Sequence, residues 1–226
     1  MQKFDTPTPI SAVLDVPAGR IQFIAANRAD STVEILPADA SKGRDVKAAE
    51  QTTVEYRDGV LRIGAPAAKN QYFGPSGSIE VTVQLPAGSH IEAKAGSAEF
   101  RGVGRLGDVT FDGAYSKHGA IKIDEAASAR LSAHAGDISV GRLDGPAHIS
   151  TNRGDIDIAQ TTCGTVVLRT QMGDVRVGAA RGASASLDAG TGYGRVHNAL
   201  KNTEGAAAGL NIHATTGHGD ITARSL

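Results

Sequence analysis

Short glycine-led segments recur along the second half of the chain, and they constrain the fold more than any other feature, because each copy is too short to bury a core without a neighbour. The copies are Gly119-Ala-Ile-Lys-Ile123, Gly136-Asp-Ile-Ser-Val140, Gly154-Asp-Ile-Asp-Ile158, Gly173-Asp-Val-Arg-Val177, Gly194-Arg-Val-His-Asn198 and Gly219-Asp-Ile-Thr-Ala223. Their glycines lie 17, 18, 19, 21 and 25 residues apart, a drifting period that reads as turns accepting insertions. A second short strand precedes each glycine. Leu131, Ile149 and Leu168 stand five residues before theirs, and Leu187 and Ile212 are assigned the same place in repeats with two more turn residues. Ile91 to Phe100 and Val109 to Gly113 extend the series backwards.

Side chains alternate faces along a strand, so Leu131, Ala133, Ile138 and Val140 point inward while Ser132, Asp137 and Ser139 point outward. In the next coil Ile149, Thr151, Ile156 and Ile158 are inward, and His148, Ser150, Asp155 and Asp157 outward. Stacked coils of this kind form a continuous apolar column. The expected fold is all-β: a single-rod β-solenoid of about seven short coils, roughly 30 to 35 Å long at the inter-strand spacing. The composition agrees, with 28 glycines, 4% aromatics and no Trp, as suits thin, tightly stacked strands. The turn glycines read as conformational. A phosphate cradle would need a helix to follow, and each glycine here leads into strand sequence.

Residues 10–87 lack the repeat. Ile10 to Val16 alternates, Pro17-Ala-Gly19 reads as a turn and Arg20 to Ile24 as a returning strand. Val33 to Leu36 follows, and Val54 to Ile63 around Asp58-Gly59 is a hairpin signal. A short helix fits Asp39 to Glu50, and Ala65 to Ser78 reads as a loop. An open solenoid end exposes unpaired backbone, so residues 1–87 are assigned as a β-rich N-terminal cap, continuous with solenoid repeats over 88–226.

Several motifs carry a resemblance across nearly the whole chain. Phe4-Asp-Thr-Pro-x-Pro-Ile-Ser-Ala, Val16-Pro-Ala-Gly-Arg-Ile, Ala48-Ala-Glu-Gln-Thr-x-Val-Glu-Tyr, Gly194-Arg-Val-His-Asn-x-Leu and the closing Gly219-Asp-Ile-Thr resemble the bacterial putative-adhesin family of β-strand-repeat proteins, a domain of unknown function. The resemblance implies a β-solenoid with a β-rich N-terminal part, and it carries over no catalytic residue.

Asp137, Asp155, Asp174 and Asp220 follow turn glycines and share one edge of the stack, which makes Asp137, Asp155 and Asp174 candidate calcium ligands. Ala120 and Arg195 interrupt the column, and the bland reading is that each carboxylate bonds turn backbone or solvates the edge, with Arg195 relieving repulsion between Asp174 and Asp220. The seven histidines, His90, His118, His134, His148, His197, His213 and His218, form no short ligand pair. Cys163 is the one cysteine, so no intrachain disulfide forms, and no base partner is evident for it. Asp155 and Asp157 could suggest polysaccharide chemistry, but short turns build no cleft, and the aromatics that bind sugars are limited to Tyr56, Tyr72, Tyr115 and Tyr193 beside the phenylalanines.

A net charge of −1, from 23 basic and 24 acidic residues, disfavours nucleic acid, and the outward series Lys122, Ser139, Asp157, Arg176, His197, Thr222 is mixed rather than basic. No apolar leader or membrane-length segment occurs, so the expected location is cytoplasmic, or the cell surface if a leader has been removed. No catalytic residue and no cofactor are assigned. The expected function is a non-enzymatic scaffold or adhesin-like interaction module for a protein or polymer, with a carbohydrate-active or carbohydrate-binding solenoid as the alternative. The last Gly-Asp-Ile strand ends at the C-terminal residue, so either Lys201 to Gly209 folds over the end or two rods meet there as a homodimer.

Overall fold

The computed structural model describes residues 1–64, 77–113 and 120–226. Gly119, His118, Tyr72, Tyr115 and most of the expected 65–78 loop lie outside the described residues. The strands are β1 (Gln2–Asp5), β2 (Ser11–Ala26), β3 (Asp30–Pro37), β4 (Thr53–Arg57), β5 (Val60–Gly64), β6 (Ile79–Pro86), β7 (His90–Gly113), β8 (Ile121–Ala135), β9 (Ile138–Leu143), β10 (Ala147–Arg153), β11 (Ile156–Thr161), β12 (Gly164–Met172), β13 (Val175–Ala179), β14 (Ala185–Tyr193), β15 (Val196–Ala199), β16 (Leu210–His218) and β17 (Ile221–Ser225). They belong to one continuous sheet, and the fold is an all-β solenoid. The helix expected near Asp39 to Glu50 is α1 (Gly43–Gln51).

Successive rungs pair in parallel and in register, so like positions stack on like. One inward column runs Ile138, Ile156, Val175, Ile221, and all four are fully buried. A second runs Leu131, Ile149, Leu168, Ala214, Ala189, which corrects the expected place of Leu187 and Ile212. Those two align instead with Val166, one inward position earlier. The turns therefore carry no extra residues there. The register is held from the glycine, and Ala214 and Ala189 keep the five-residue offset.

The order of rungs differs from the order of the chain. β16 pairs with β12 on one side and β14 on the other, and β17 lies between β13 and β15 in the same way. After β13 the chain skips one rung position, lays down β14 and β15, and then returns through residues 200–209 to fill the gap with β16 and β17. The long intervals of 21 and 25 residues are the outward and return crossings, not insertions in a turn. The terminal rung is therefore β14 and β15, and the last Gly-Asp-Ile strand lies one rung inside it.

At the other end the pairing changes sense. The two halves of β2 pair in parallel with β7, and also with β5 and β6, while β4 on β5, β3 on β6 and β1 on β3 are antiparallel. β2 does not reverse at Pro17-Ala-Gly19 as expected. It bends there and continues onto the next face of the coil, because Gly19 adopts φ +135 and a Cβ at that corner would lie 1.8 Å from the Ile79 carbonyl oxygen. The Asp58-Gly59 turn has positive φ at both residues, 51 and 77, which matches the twist of the β4–β5 hairpin. Phe4 on β1 packs against Tyr56 on β4 with ring centroids 5.6 Å apart, closing the antiparallel end.

Two measurements test this arrangement. Gly154→Ala must adopt φ +143 and bring its Cβ within 2.2 Å of the Gly136 carbonyl oxygen. Denaturant melts should show a loss of at least about 2 kcal/mol, whereas Gly190→Ala, whose Cβ meets nothing within 4 Å, should stay within about 0.5 kcal/mol of wild type. At the antiparallel end, hydrogen bonds from Arg28 and then Lys3 lower the Asp30 pKa from 3.8 to about 2. A carboxylate with a lowered folded pKa stabilises the fold above its unfolded value, and that contribution fades as pH falls from about 4 towards 2. NMR titration of Arg28→Ala should return the Asp30 midpoint towards 3.8.

The Gly-Asp corner and the outward columns

Each repeat turns at the step between its glycine and the following residue. Gly136, Gly154, Gly173, Gly194 and Gly219 all take positive φ, between 128 and 153. The carboxylate that follows bonds along the rod rather than within its own turn. Asp137 Oδ1 accepts the Asp155 N–H at 2.9 Å, Asp155 Oδ1 the Asp174 N–H at 2.8 Å, Asp174 Oδ1 the Asp220 N–H at 2.9 Å, and Asp220 Oδ1 the Arg195 N–H at 2.8 Å. This ladder places Asp220 directly on Asp174 and Arg195 at its end.

Arg195 therefore does not separate Asp174 from Asp220, as the order along the chain suggested. Arg176 supplies the positive charge instead, with Nη1 3.3 Å from Asp155 Oδ2 and Nη2 2.7 Å from Asp174 Oδ2. Arg195 Nη2 lies 3.5 Å from Asp220 Oδ2. Of the calcium candidates, Asp155 and Asp174 each give one oxygen to a backbone N–H and the other to Arg176, while Asp137 gives one to the Asp155 N–H. Among the described residues no group of three or more His, Cys, Asp or Glu side chains is arranged to hold a metal ion.

A threonine ladder runs beside the aspartates. Thr170 donates its hydroxyl to the Gly154 carbonyl at 3.0 Å, Thr216 to Gly173 at 2.9 Å and Thr191 to Gly219 at 3.0 Å, with Thr151 reaching Gly136 at 3.5 Å. These threonines stand three residues before their own glycines, and Ala133 takes the position in an earlier coil. A Thr-x-x-Gly-Asp signature was present in the sequence, but alternation alone reads Thr151 as one more inward residue. Its hydroxyl satisfies a carbonyl that the corner would otherwise leave unbonded.

The histidines are dispersed. His90 Nδ1 lies 3.3 Å from Asp108, His213 Nδ1 3.3 Å from Asp188, His134 contacts Asn152, and His218 stacks on Tyr193 at 4.8 Å. Cys163 is exposed, and its Sγ donates to the Asp144 carbonyl at 3.3 Å. Asp155 and Asp157 belong to the same rung, and Asp155 is bonded to the Asp174 N–H and to Arg176. Shallow depressions among the described residues include one of about 480 Å³ lined by Arg195, Val196, His197, Asp220 and Thr222, and one of about 330 Å³ bordered by Asp108, Thr110, Ser128, Arg130 and His148.

The outward face is organised in registered columns. Lys122, Ser139, Asp157, Arg176, Thr222 and His197 lie in that order along the rod, with Thr222 and His197 exchanged relative to the chain because of the interleaved rungs. Arg105, Glu125 and Arg142 alternate in charge along a second column, which the neutral Gln160 continues. Neighbours repeat at the strand spacing of about 4.8 Å.

Comparison with known proteins places these features in context. Residues 13–224 match the family model described as Toastrack DUF4097. No curated protein matches the chain. Similar solved structures include a "putative cell adhesion protein" from Clostridium sporogenes, 13% identical with a TM-score of 0.43, covering 100% of this chain and 98% of that one. A "putative adhesin" from Bacteroides fragilis is 11% identical with a TM-score of 0.47, and one from Parabacteroides distasonis is 12% identical with a TM-score of 0.48; each comparison covers 98% of this chain and 95% of the other. Among the described residues no helix is long and apolar enough to cross a membrane.

The corner geometry yields a graded expectation. Asp155→Ala leaves the Asp174 N–H without its acceptor and should cost about 1 to 3 kcal/mol, while Asp155→Asn keeps an oxygen in place and should cost less. The melting temperature should be the same in excess calcium as in chelator; a calcium-dependent rise that Asp155→Ala abolishes would assign the aspartates to a cation instead.

Proposed function

This chain belongs to the Toastrack DUF4097 family, and on that premise we propose that it is a non-enzymatic, adhesin-like interaction module whose ligand lies along the rod. The reading rests on the column Lys122, Ser139, Asp157, Arg176, Thr222, His197, which sets donors, acceptors and both signs of charge in one straight registered line. Such a line suits an extended partner, a protein segment or a repeating polymer, that makes many weak polar contacts at regular intervals. Residues 1–87 serve as the cap in this reading and 88–226 as the presenting rod. The Gly-Asp carboxylates are structural, since Asp155 and Asp174 are bonded to backbone and to Arg176.

Immobilised protein, challenged with cell lysate and with acidic and neutral glycans, should retain a ligand that elutes unchanged. Lys122→Glu, on the same column but outside the aspartate ladder, should weaken retention severalfold and make it less sensitive to salt, with the melting temperature unchanged. New reducing ends or unsaturated sugars in the glycan samples would replace this reading with a carbohydrate-active one.

A further inference from the structure

We infer that the terminal rung, β14 and β15, is an isologous interface through which two copies of the chain join end to end. The rung is paired on one side only, β14 to β16 and β15 to β17. The direction of its unused backbone groups follows from the bonds it makes. Leu210 N–H donates to the Ser184 carbonyl, while Ala185 N–H turns the other way to the Lys201 carbonyl. In a parallel ladder alternate residues face alternate neighbours, so Leu187 and Ala189 direct N–H and C=O away from the rod. Ile221 N–H bonds the Arg195 carbonyl, so Val196 and Asn198 do the same on β15.

The inward columns end here as well. Val196 continues the buried series Ile138, Ile156, Val175, Ile221 and is 44% exposed, and Tyr193 at the corner is 73% exposed. Residues 201–209 meet the start of β14, where Ser184 Oγ accepts the Thr203 and Glu204 N–H groups and donates to Asn202. Edges elsewhere are guarded. β1 and β4 are four and five residues long and carry Lys3, Asp5, Glu55 and Arg57, whereas β14 runs for nine residues with Asp188 as its one carboxylate, and the four-residue β15 has no Lys, Arg, Asp or Glu. On the terminal rung Arg195 pairs within the chain with Asp220 at 3.5 Å, and His213 Nδ1 lies 3.3 Å from Asp188 Oδ2.

The occupant that fits is a second copy. The end presents two edges, held apart by the width of the coil, and a lone peptide strand can satisfy one of them. Another coil end offers both at the same separation. A two-fold axis normal to the rod sets β14 against β14 and β15 against β15 in antiparallel sense, and because the opposite end is closed by the antiparallel cap, association stops at two. The inference does not rest on the ligand reading, since it uses the rung edge and not the outward columns.

Sedimentation of the full chain over a micromolar concentration series should give a species of twice the 23.2 kDa chain. Hydrogen exchange should show amide protection at residues 187, 189, 196 and 198 that disappears on dilution. Ala189→Pro removes only an outward-facing N–H and should abolish the dimer while far-UV circular dichroism stays unchanged; Ala189→Ser, which keeps the N–H, should dimerise as wild type does. A monomer throughout the series, a head-to-tail polymer, or a dimer whose protected amides lie elsewhere would overturn the inference, and each is read from the wild-type chain independently of how the proline variant folds.

Discussion

The stacking of the repeat rungs depends on the in-register bond between one Gly-Asp corner and the next. Parallel strands leave little room for slippage when one face is buried, since a shift of one residue would expose every inward Ile, Leu and Val. The corner fixes that register three times over. The glycine carbonyl accepts a threonine hydroxyl from the next rung, the aspartate accepts a backbone N–H from it, and the residue after the aspartate donates its own N–H back, as Ile156 does to the Asp174 carbonyl. Gly154 and Gly173 tolerate this approach because a Cβ on either would lie within about 2.2 Å of the carbonyl oxygen beneath it. Stacked carboxylates would repel one another in isolation, but each is bonded to a backbone N–H, and Arg176 spans two of them.

The interleaved end is compatible with that bond because the corner is local and identical. Whichever rung lies above Gly173 must supply an acceptor for its N–H and a threonine for its carbonyl, and the rung of Gly219 does both through the His218 carbonyl and Thr216. Nothing in the chemistry requires the next rung in space to be the next in sequence. What sets the order is the crossing lengths, since reaching past one rung and returning takes more chain than stepping up by one.

Most of the rod was legible in the sequence for this reason. The glycine spacing and the alternation of Ile138, Val140, Ile156 and Ile158 gave the coils and their buried faces, and Asp58-Gly59 marked the hairpin. Three things were not legible. A reading anchored on bulky residues placed Leu187 and Ile212 opposite Leu168, where the structure keeps the register of the glycine and accepts Ala189 and Ala214, small side chains that alternation scores weakly. The 21- and 25-residue intervals carried the interleaving, but a longer interval in a repeat reads first as a longer turn. Pro17-Ala-Gly19 reads as a reversal, and only the pairing of both halves of β2 with β7 distinguishes a reversal from a bend. The candidate site was less legible because its residues are ordinary surface residues. Position along the rod gives them meaning, and that position depends on the rung order.

That order also separates the parts of the molecule that specify the fold from those left free for partners. Inward positions are committed to the core, and the Gly-Asp corners are committed to the ladder. Most outward strand positions are tied to neither, so Lys122, Ser139, Asp157, Thr222 and His197 can differ in charge and size while the rungs beneath them keep their register; Arg176 alone in that column is also bonded into the ladder, through Asp155 and Asp174. A substitution at a corner is felt in the rungs above and below it, whereas one on an outward column changes a single tooth of a fixed comb. This asymmetry lets one architecture present different surfaces without refolding, because the repeated motif holds the rungs in register whatever the outward columns carry.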